Sequence, residues 1–593
     1  MISNTDIRYF FDTYYDNFMH SLAWEDHLLE PASREEWLAT LRACADDQQQ
    51  RCADNQILLE QYLYPLSSNP ALLSDEGYDL LLSFCRDFYY SNYTEPALLI
   101  RIIDILLPHY EDRSDTESLL FLYICAGFSY MELSRTGEPT SRDKTIYFYT
   151  KVLSYRDQIE FFESATSRDY IFIAYYNLIR VAPGLGILDI ETAYRLWEEL
   201  CQIRTMPKFC QYDTTNPRIP QLCDCAINDF RAYGAVLNVE RVIAPSAILS
   251  SLENMTQIYY SEILHEHGSI YECPVFTVFN YHYVQARNGT ITWEAAWQIL
   301  DDYYVHKMQT IGQVSSPDLL AFYTNLPLNL IDVLGHTHFK EEFKQATYRR
   351  YRNLITSYLM NQPASLNSYT LNNGVQLVAF HPLILGTFQN RMEKMNFIVD
   401  LVVTRHLTTF THSVMVSYLA EAIGKHILAA RPELLRIPSS YLAGNAYASP
   451  AEVLDYIVPA ALFHDIGKNG MIPIINTQHR KLNDYEFNII QTHPQKGSDY
   501  LSSDPDFLIY QPVALGHHRS YDGTRGYPLS FDNTASPYRD AIDLIHICDC
   551  LDAATDYLSR NYHRAKPFDV VLNELKAGRG TEYNPCLLYT SPS

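Results

Sequence analysis

"ALFHDIGKNG", residues 461–470, makes two chemical demands in ten positions. Three apolar residues, Ala461, Leu462 and Phe463, carry the chain inward and deliver an adjacent His464-Asp465 pair to a buried place. Burying an uncompensated imidazole and carboxylate is costly. Divalent cations offset that cost, because imidazole and carboxylate are ligands such ions accept. An Asp between two cations can bridge them with its two oxygens while the neighbouring His binds one, and two cations held roughly 3.5–4 Å apart can activate water and clamp a phosphoryl group for in-line attack. Lys468, one turn beyond, is placed to offset charge on a phosphate oxygen. Asp465 and Lys468 are therefore the first candidates for catalysis.

Working outward, the C-terminal third supplies further ligands on helical patterns. His412 lies in "THSVMVSYLAEAIGKHI", where Val416, Leu419, Ala420, Ile423 and Ile427 share its helix face and turn the imidazole into a core. His493 follows in "THPQKG", His517 and His518 in "GHHRSYDGTRGYP", and Asp549 in "HICDCLDAAT". The spacing of Asn483 to Glu486 reads as a capping box opening the helix toward His493. Ser536-Pro537 reads as an N-cap with Pro at N1, starting the helix of Asp549.

In order, "HDIGK", "HP" with a following glycine, "HH", "DG", "GYP" and "CDCLDAAT" resemble the HD-GYP family, the branch of the HD phosphohydrolases that linearises cyclic di-GMP. The likeness covers roughly residues 400 to 585, including the tail "RNYHRAKPF" and "ELKAGRGTEYNP". It implies an all-helical fold with a two-metal iron or manganese site. Its metal ligands would be His412, His464, Asp465, His493, His517, His518 and Asp549. Lys468 and Arg560 would contact phosphate, and Gly526, Tyr527 and Pro528 would form the loop beside the guanine base, with Asp522 and Arg564 also on the substrate side. Four departures stand out. Arg519 occupies the position where many relatives have Glu, "DGTRGYP" is one residue longer than the usual DG-x-GYP, and Thr408 stands where some members place an acidic third-metal ligand. His563 replaces the second basic residue of the tail.

The first 370 residues read differently, as aromatic-rich helices. "DYIFIAYYNLIRV" (169–181) and "ETAYRLWEELCQI" (191–203) carry apolar residues at three- and four-residue spacing. "YNLIRVAPGLGILDIETAYRLW" (176–197) aligns without gaps to "FNYHYVQARNGTITWEAAWQIL" (279–300), 103 residues further on (176 against 279). Asn177, Val181, Gly186, Glu191 and Ala193 meet Asn280, Val284, Gly289, Glu294 and Ala296. Each copy reads as a helix, a glycine turn and a second helix. The offset is close to three units of about 34 residues, the period of tetratricopeptide-like hairpins, though that consensus is absent. The paired histidines of "LHEHG" (264–268) and "GHTHF" (335–339) lack accompanying carboxylates at matching spacing and read as packing or surface residues.

Composition bounds the rest. A chain of 593 residues with 47% apolar and 19% charged side chains forms two or more globular domains. With 45 basic against 70 acidic residues the net charge is −25, which repels duplex nucleic acid and anionic lipid. "SLLFLYICAGFSYM" (118–131) falls short of the 20 or so residues a membrane helix needs and reads as a core helix. Twelve cysteines without repeated spacing fit free thiols in a reducing cytoplasm. "CLLYTSPS" (586–593) resembles the translation of a sequencing adapter and is set aside. The expectation is an all-α chain: a helical-hairpin sensor or interaction region over 1–370 and an HD-GYP-like domain over 371–585. A protein partner would dock on the hairpins, a homodimer is compatible, and a cyclic dinucleotide is the expected substrate. A regulatory module that binds without turnover, and a hydrolase for another phosphate ester, are the alternatives.

Overall fold

The computed structural model describes residues 2–23, 33–90, 95–161, 165–210, 218–236, 246–310, 316–362, 369–405, 407–439, 446–471, 479–556 and 565–588. Among them every regular element is helical, and extended pairing is confined to isolated bridges such as Arg519 with Gly526. The all-α expectation holds. The chain divides into one unit of Met1–Arg8 with Leu63–Tyr351, and another of Tyr9–Tyr62 with Arg352–Ser593.

This division differs from the 370/371 boundary drawn from composition. The stretch behind that boundary, "MNQPASLNSYTLNNG" (360–374), rich in Asn and Ser, starts at the end of the Glu341–Met360 helix, whereas the unit boundary falls inside that helix. Residues 9–62 belong with the C-terminal part for a local reason. The Asn55 amide donates to the His479 carbonyl at 3.0 Å, and the Tyr14 hydroxyl lies 3.2 Å from His479 Nε2. The Phe18 ring stands edge-on to the same imidazole at 4.7 Å between centroids.

In the first unit, the Thr116–Ser134 helix buries Leu120, Phe121, Leu122 and Ile124 completely, as a core helix should. No described helix is long and apolar enough to cross a membrane. The echo at 103 residues is structural as well as textual. Gly186 and Gly289 take left-handed φ values of 67° and 70°, open to glycine without a Cβ penalty. Around them the donors and acceptors correspond one for one. Ile187 and Leu188 donate to the Ala182 carbonyl at 2.9 and 3.4 Å, while Thr290 and Ile291 donate to that of Gln285 at 2.9 and 3.3 Å. Asp189 caps the next helix through Thr192 N, and Thr292 does so through Ala295 N. Ala193 and Ala296, fully buried, sit at equivalent positions beyond the caps. The histidines of "LHEHG" and "GHTHF" are exposed, as expected of surface residues.

In the second unit, the Leu407–Ala430 helix packs on Pro450–Phe463 and on Arg539–Thr555, and together they form the floor of the site. Val416, Ala420 and Ile427, on the His412 face, are fully buried. Both capping signals near the site can be checked. Asn483 and Glu486 form the expected capping box for Asp484–Ile490. The Asp549 helix, however, starts at Arg539 rather than beside Ser536. Ser536 Oγ accepts from Tyr538 N at 3.2 Å, closing a turn ahead of the helix instead of capping it.

Candidate metal centre

The helix before the His-Asp pair is closed at its start by a Ser449–Glu452 capping box with Pro450 at N1. It runs inward through Phe463 and passes into a tight 3₁₀ segment, Ile466–Met471. There Gly467 is a packing requirement, since a Cβ on it would lie 2.0 Å from the His493 carbonyl oxygen. The absent side chain lets this segment touch the start of the His493–Leu501 helix, and so brings Asp465 beside His493.

The seven side chains singled out as ligands converge. They form two groups, Asp465 with His493, His517 and His518, and His412 with His464 and Asp549, whose donor atoms all lie within 4.8 Å of one another in each group. Asp465 stands between them. Its Oδ1 is 3.0 Å from His493 Nε2 and 3.6 Å from His517 Nε2. Its Oδ2 is 3.4 Å from His464 Nε2 and 3.5 Å from His412 Nε2. Asp549 repeats the arrangement across the site: Oδ1 lies 3.1 Å from His412 Nε2, and Oδ2 lies 3.7 Å from His518 Nδ1.

Four of the five rings are fixed by the far nitrogen. His464 Nδ1 donates to the Ala461 carbonyl at 2.6 Å, His493 Nδ1 to that of Ile490 at 2.7 Å, and His517 Nδ1 to that of Ala514 at 2.9 Å. His412 Nδ1 donates to the Asp552 carboxylate at 2.6 Å. The three carbonyl bonds place a proton on Nδ1 and leave Nε2 as a lone-pair donor facing Asp465, the tautomer a metal needs, and Asp552 fixes the same ring orientation for His412. His412 Nε2, His464 Nε2 and Asp465 Oδ1 are buried without a hydrogen-bond partner, although His464 and Asp465 are 0% and 1% exposed. Buried donor atoms aimed at one another with nothing to satisfy them fit a pair of cations. The Lys468 ammonium pairs with Asp465 Oδ2, so it reaches the same space.

The two groups differ electrostatically. Burial drives the His517 imidazole down to about 4, and burial also lowers His493 and His518. His412 is equally buried, yet the carboxylates of Asp549, Asp552 and Asp465 around it outweigh burial and raise it to about 9. Burial opposes ionisation of Asp465 and Asp549, but Lys468 and His464 beside the first, and His412 and His518 beside the second, hold both well below the usual carboxylate range.

Over the mouth lies the loop that carries "DGTRGYP". The Tyr527 ring sits 4.6 Å from the ring of His518, the one partly open ligand. Gly526 has a φ of 84°, and a Cβ there would fall 1.8 Å from the His518 carbonyl oxygen. Asp522 turns its carboxylate back into the loop, accepting from Ser520 Oγ at 2.7 Å and Thr524 N at 3.0 Å, and those bonds lower it to about 2. Arg560 and Arg564, expected at the phosphate, lie outside the described residues.

Three contributors escaped the sequence reading. Asp552 orients His412, three residues along the helix from Asp549, a one-face spacing that could have exposed it. His546 donates through Nδ1 to the His517 carbonyl at 2.5 Å, and Glu582 lies 3.5 Å from its Nε2.

Comparison with known proteins agrees with this arrangement. Residues 409–560 match the HD domain family. A cyclic di-GMP phosphodiesterase of Vibrio cholerae is 26% identical over 44% of this chain and 58% of its own length. The cyclic di-GMP phosphodiesterase response regulator RpfG of Xanthomonas campestris is 32% identical over 23% of this chain and 35% of its own length. A 3'3'-cGAMP-specific phosphodiesterase of Vibrio cholerae is 28% identical over 28% of this chain and 36% of its own length. The chain thus spans between about a third and three-fifths of these relatives.

Proposed function

We propose, from the premise that residues 409–560 are an HD domain distantly homologous to HD-GYP cyclic di-GMP phosphodiesterases, that this chain hydrolyses a cyclic dinucleotide, cyclic di-GMP first among them. One observation carries the reading: seven buried or half-buried ligands fall into two groups that share Asp465. His493, His517 and His518 would hold one divalent cation, and His412, His464 and Asp549 the other, with iron or manganese suited to the donor set. Bound there, the pair would supply Lewis-acid polarisation of a phosphoryl oxygen and acidify water.

The chain's own residues do the rest. The backbone carbonyls of Ala461, Ile490 and Ala514 keep three imidazoles in the metal-binding tautomer. Asp552 fixes the ring orientation of His412. Lys468 is a flexible cation at the mouth that can leave Asp465 for a phosphate oxygen. Tyr527 offers an aromatic face at the entrance, where a purine can stack. The 3'3'-cGAMP-specific relatives support a second reading, in which a mixed cyclic dinucleotide is the substrate. Upstream, the paired hairpins would sense or recruit.

Metal content and product analysis, on cyclic di-GMP and 3'3'-cGAMP side by side, test the proposal. Linear dinucleotide or mononucleotide is expected from protein holding two equivalents of metal. Two equivalents without hydrolysis of either nucleotide would refute it.

A further inference from the structure

The two oddities of the mouth, Arg519 in place of the usual Glu and one extra loop residue, meet in space. Arg519 is buried, 4% exposed, and its guanidinium points into the loop. One terminal nitrogen donates to the carbonyls of Arg525 at 2.8 Å and Gly526 at 3.2 Å, and the other donates to the carbonyl of Gly523. A guanidinium only donates and a carboxylate only accepts. Glu at this position could serve none of these three carbonyls and would face them with like charge. The lengthened loop therefore presents acceptors inward, and Arg is the side chain that matches them.

The outer side of the loop is held separately. Arg525 reaches Glu582 at 3.2 Å, and Tyr521 N and Asp522 N donate to the carbonyls of Glu582 and Thr581 at 2.9 and 3.0 Å. Glu582 faces His546, which is bonded to the His517 carbonyl. The loop is thus gripped from within by Arg519 and from without by the 581–582 strip, and both grips lead to the paired histidines.

We propose that Arg519 is a positioning residue, matched to the inserted loop residue, that holds Tyr527 over His518 and so sets how tightly the nucleotide base is bound. The clamp is a property of the loop itself; its effect on substrate rests on the function proposed above.

Three chains test it: the unaltered protein, Arg519→Ala, and Arg519→Lys, which keeps the charge but not the fork. Hydrogen exchange of the 523–527 amides is read first, without metal or nucleotide. Exchange should speed up at least about tenfold in Arg519→Ala, with Arg519→Lys between the two. With metal loaded, Arg519→Ala should keep two equivalents of metal, raise KM for cyclic di-GMP about tenfold and leave kcat within about threefold. Unchanged exchange overturns the clamp. Faster exchange with an unchanged KM overturns its role at the base. Loss of metal along with faster exchange places Arg519 in support of the ligands and overturns the assignment as well. If the unaltered chain binds and hydrolyses no cyclic dinucleotide, the proposed function fails, and the exchange comparison still decides the clamp.

Discussion

The two halves of the metal centre are built from the same chemistry and poised oppositely. Around His493, His517 and His518, burial is unopposed enough to keep all three rings neutral. Around His412, three carboxylates reverse the sign of the shift. One half is ready for a cation, and the other holds a proton in its place. The difference lies at the far nitrogens: backbone carbonyls hold those of His493 and His517, whereas the Asp552 carboxylate holds that of His412.

The largest break comes from removing what the halves share. Asp465→Ala should cost both metals and lower hydrolysis by about a thousandfold or more, near 4 kcal/mol of barrier, read by metal analysis and steady-state rates. His517→Ala should strip one half alone: one equivalent of metal retained, and activity down about a hundredfold. Asp552→Asn should leave both equivalents at saturating metal but weaken the His412 half by about 10–100-fold, measured by competition with a chelator.

The smallest effect is one of pH. In the metal-free chain His412 keeps its proton up to about 9, so a cation entering that half must displace it. Affinity there should climb by up to about tenfold per pH unit between about 7 and 9, while the other half stays flat. The same shift has a stability sign. A pKa raised from 6.5 to about 9 in the folded state stabilises fully below 6.5 and is lost as pH rises through about 9. The thermal midpoint of metal-free protein should fall across that window. A flat midpoint would show that Asp549 and Asp552 do not hold His412 protonated.

The seven candidate ligands, which the fold brings together, could be picked out of the chain because each sits in or against an apolar helical run, a pattern visible in one segment at a time. The groups that tune them were hidden for the opposite reason. Asp552 acts on a residue 140 positions away, and Glu582 acts through His546. Spacing puts Asp552 on the same helix face as Asp549, but nothing local names the imidazole it meets, and nothing local points to Glu582. Arg519 was visible only as a misfit, since its three acceptors are backbone carbonyls and carry no letter in a sequence. Composition likewise suggested a boundary at 370/371 but not the grouping of residues 9–62, which depends on His479 more than 400 positions on. Ser536 shows the limit of cap signals: the residue type was right for a turn, and the helix began three residues later.

The glycine turns at 186 and 289 have a consequence of another kind. Their backbone donors and acceptors coincide, so the segments 182–192 and 285–295 each end the first helix and start the next by the same bonds. The side chains within the shared turn nevertheless differ, Ile190 in the first segment standing where Trp293 stands in the second. One set of backbone bonds thus closes the same turn beneath two different sets of side chains.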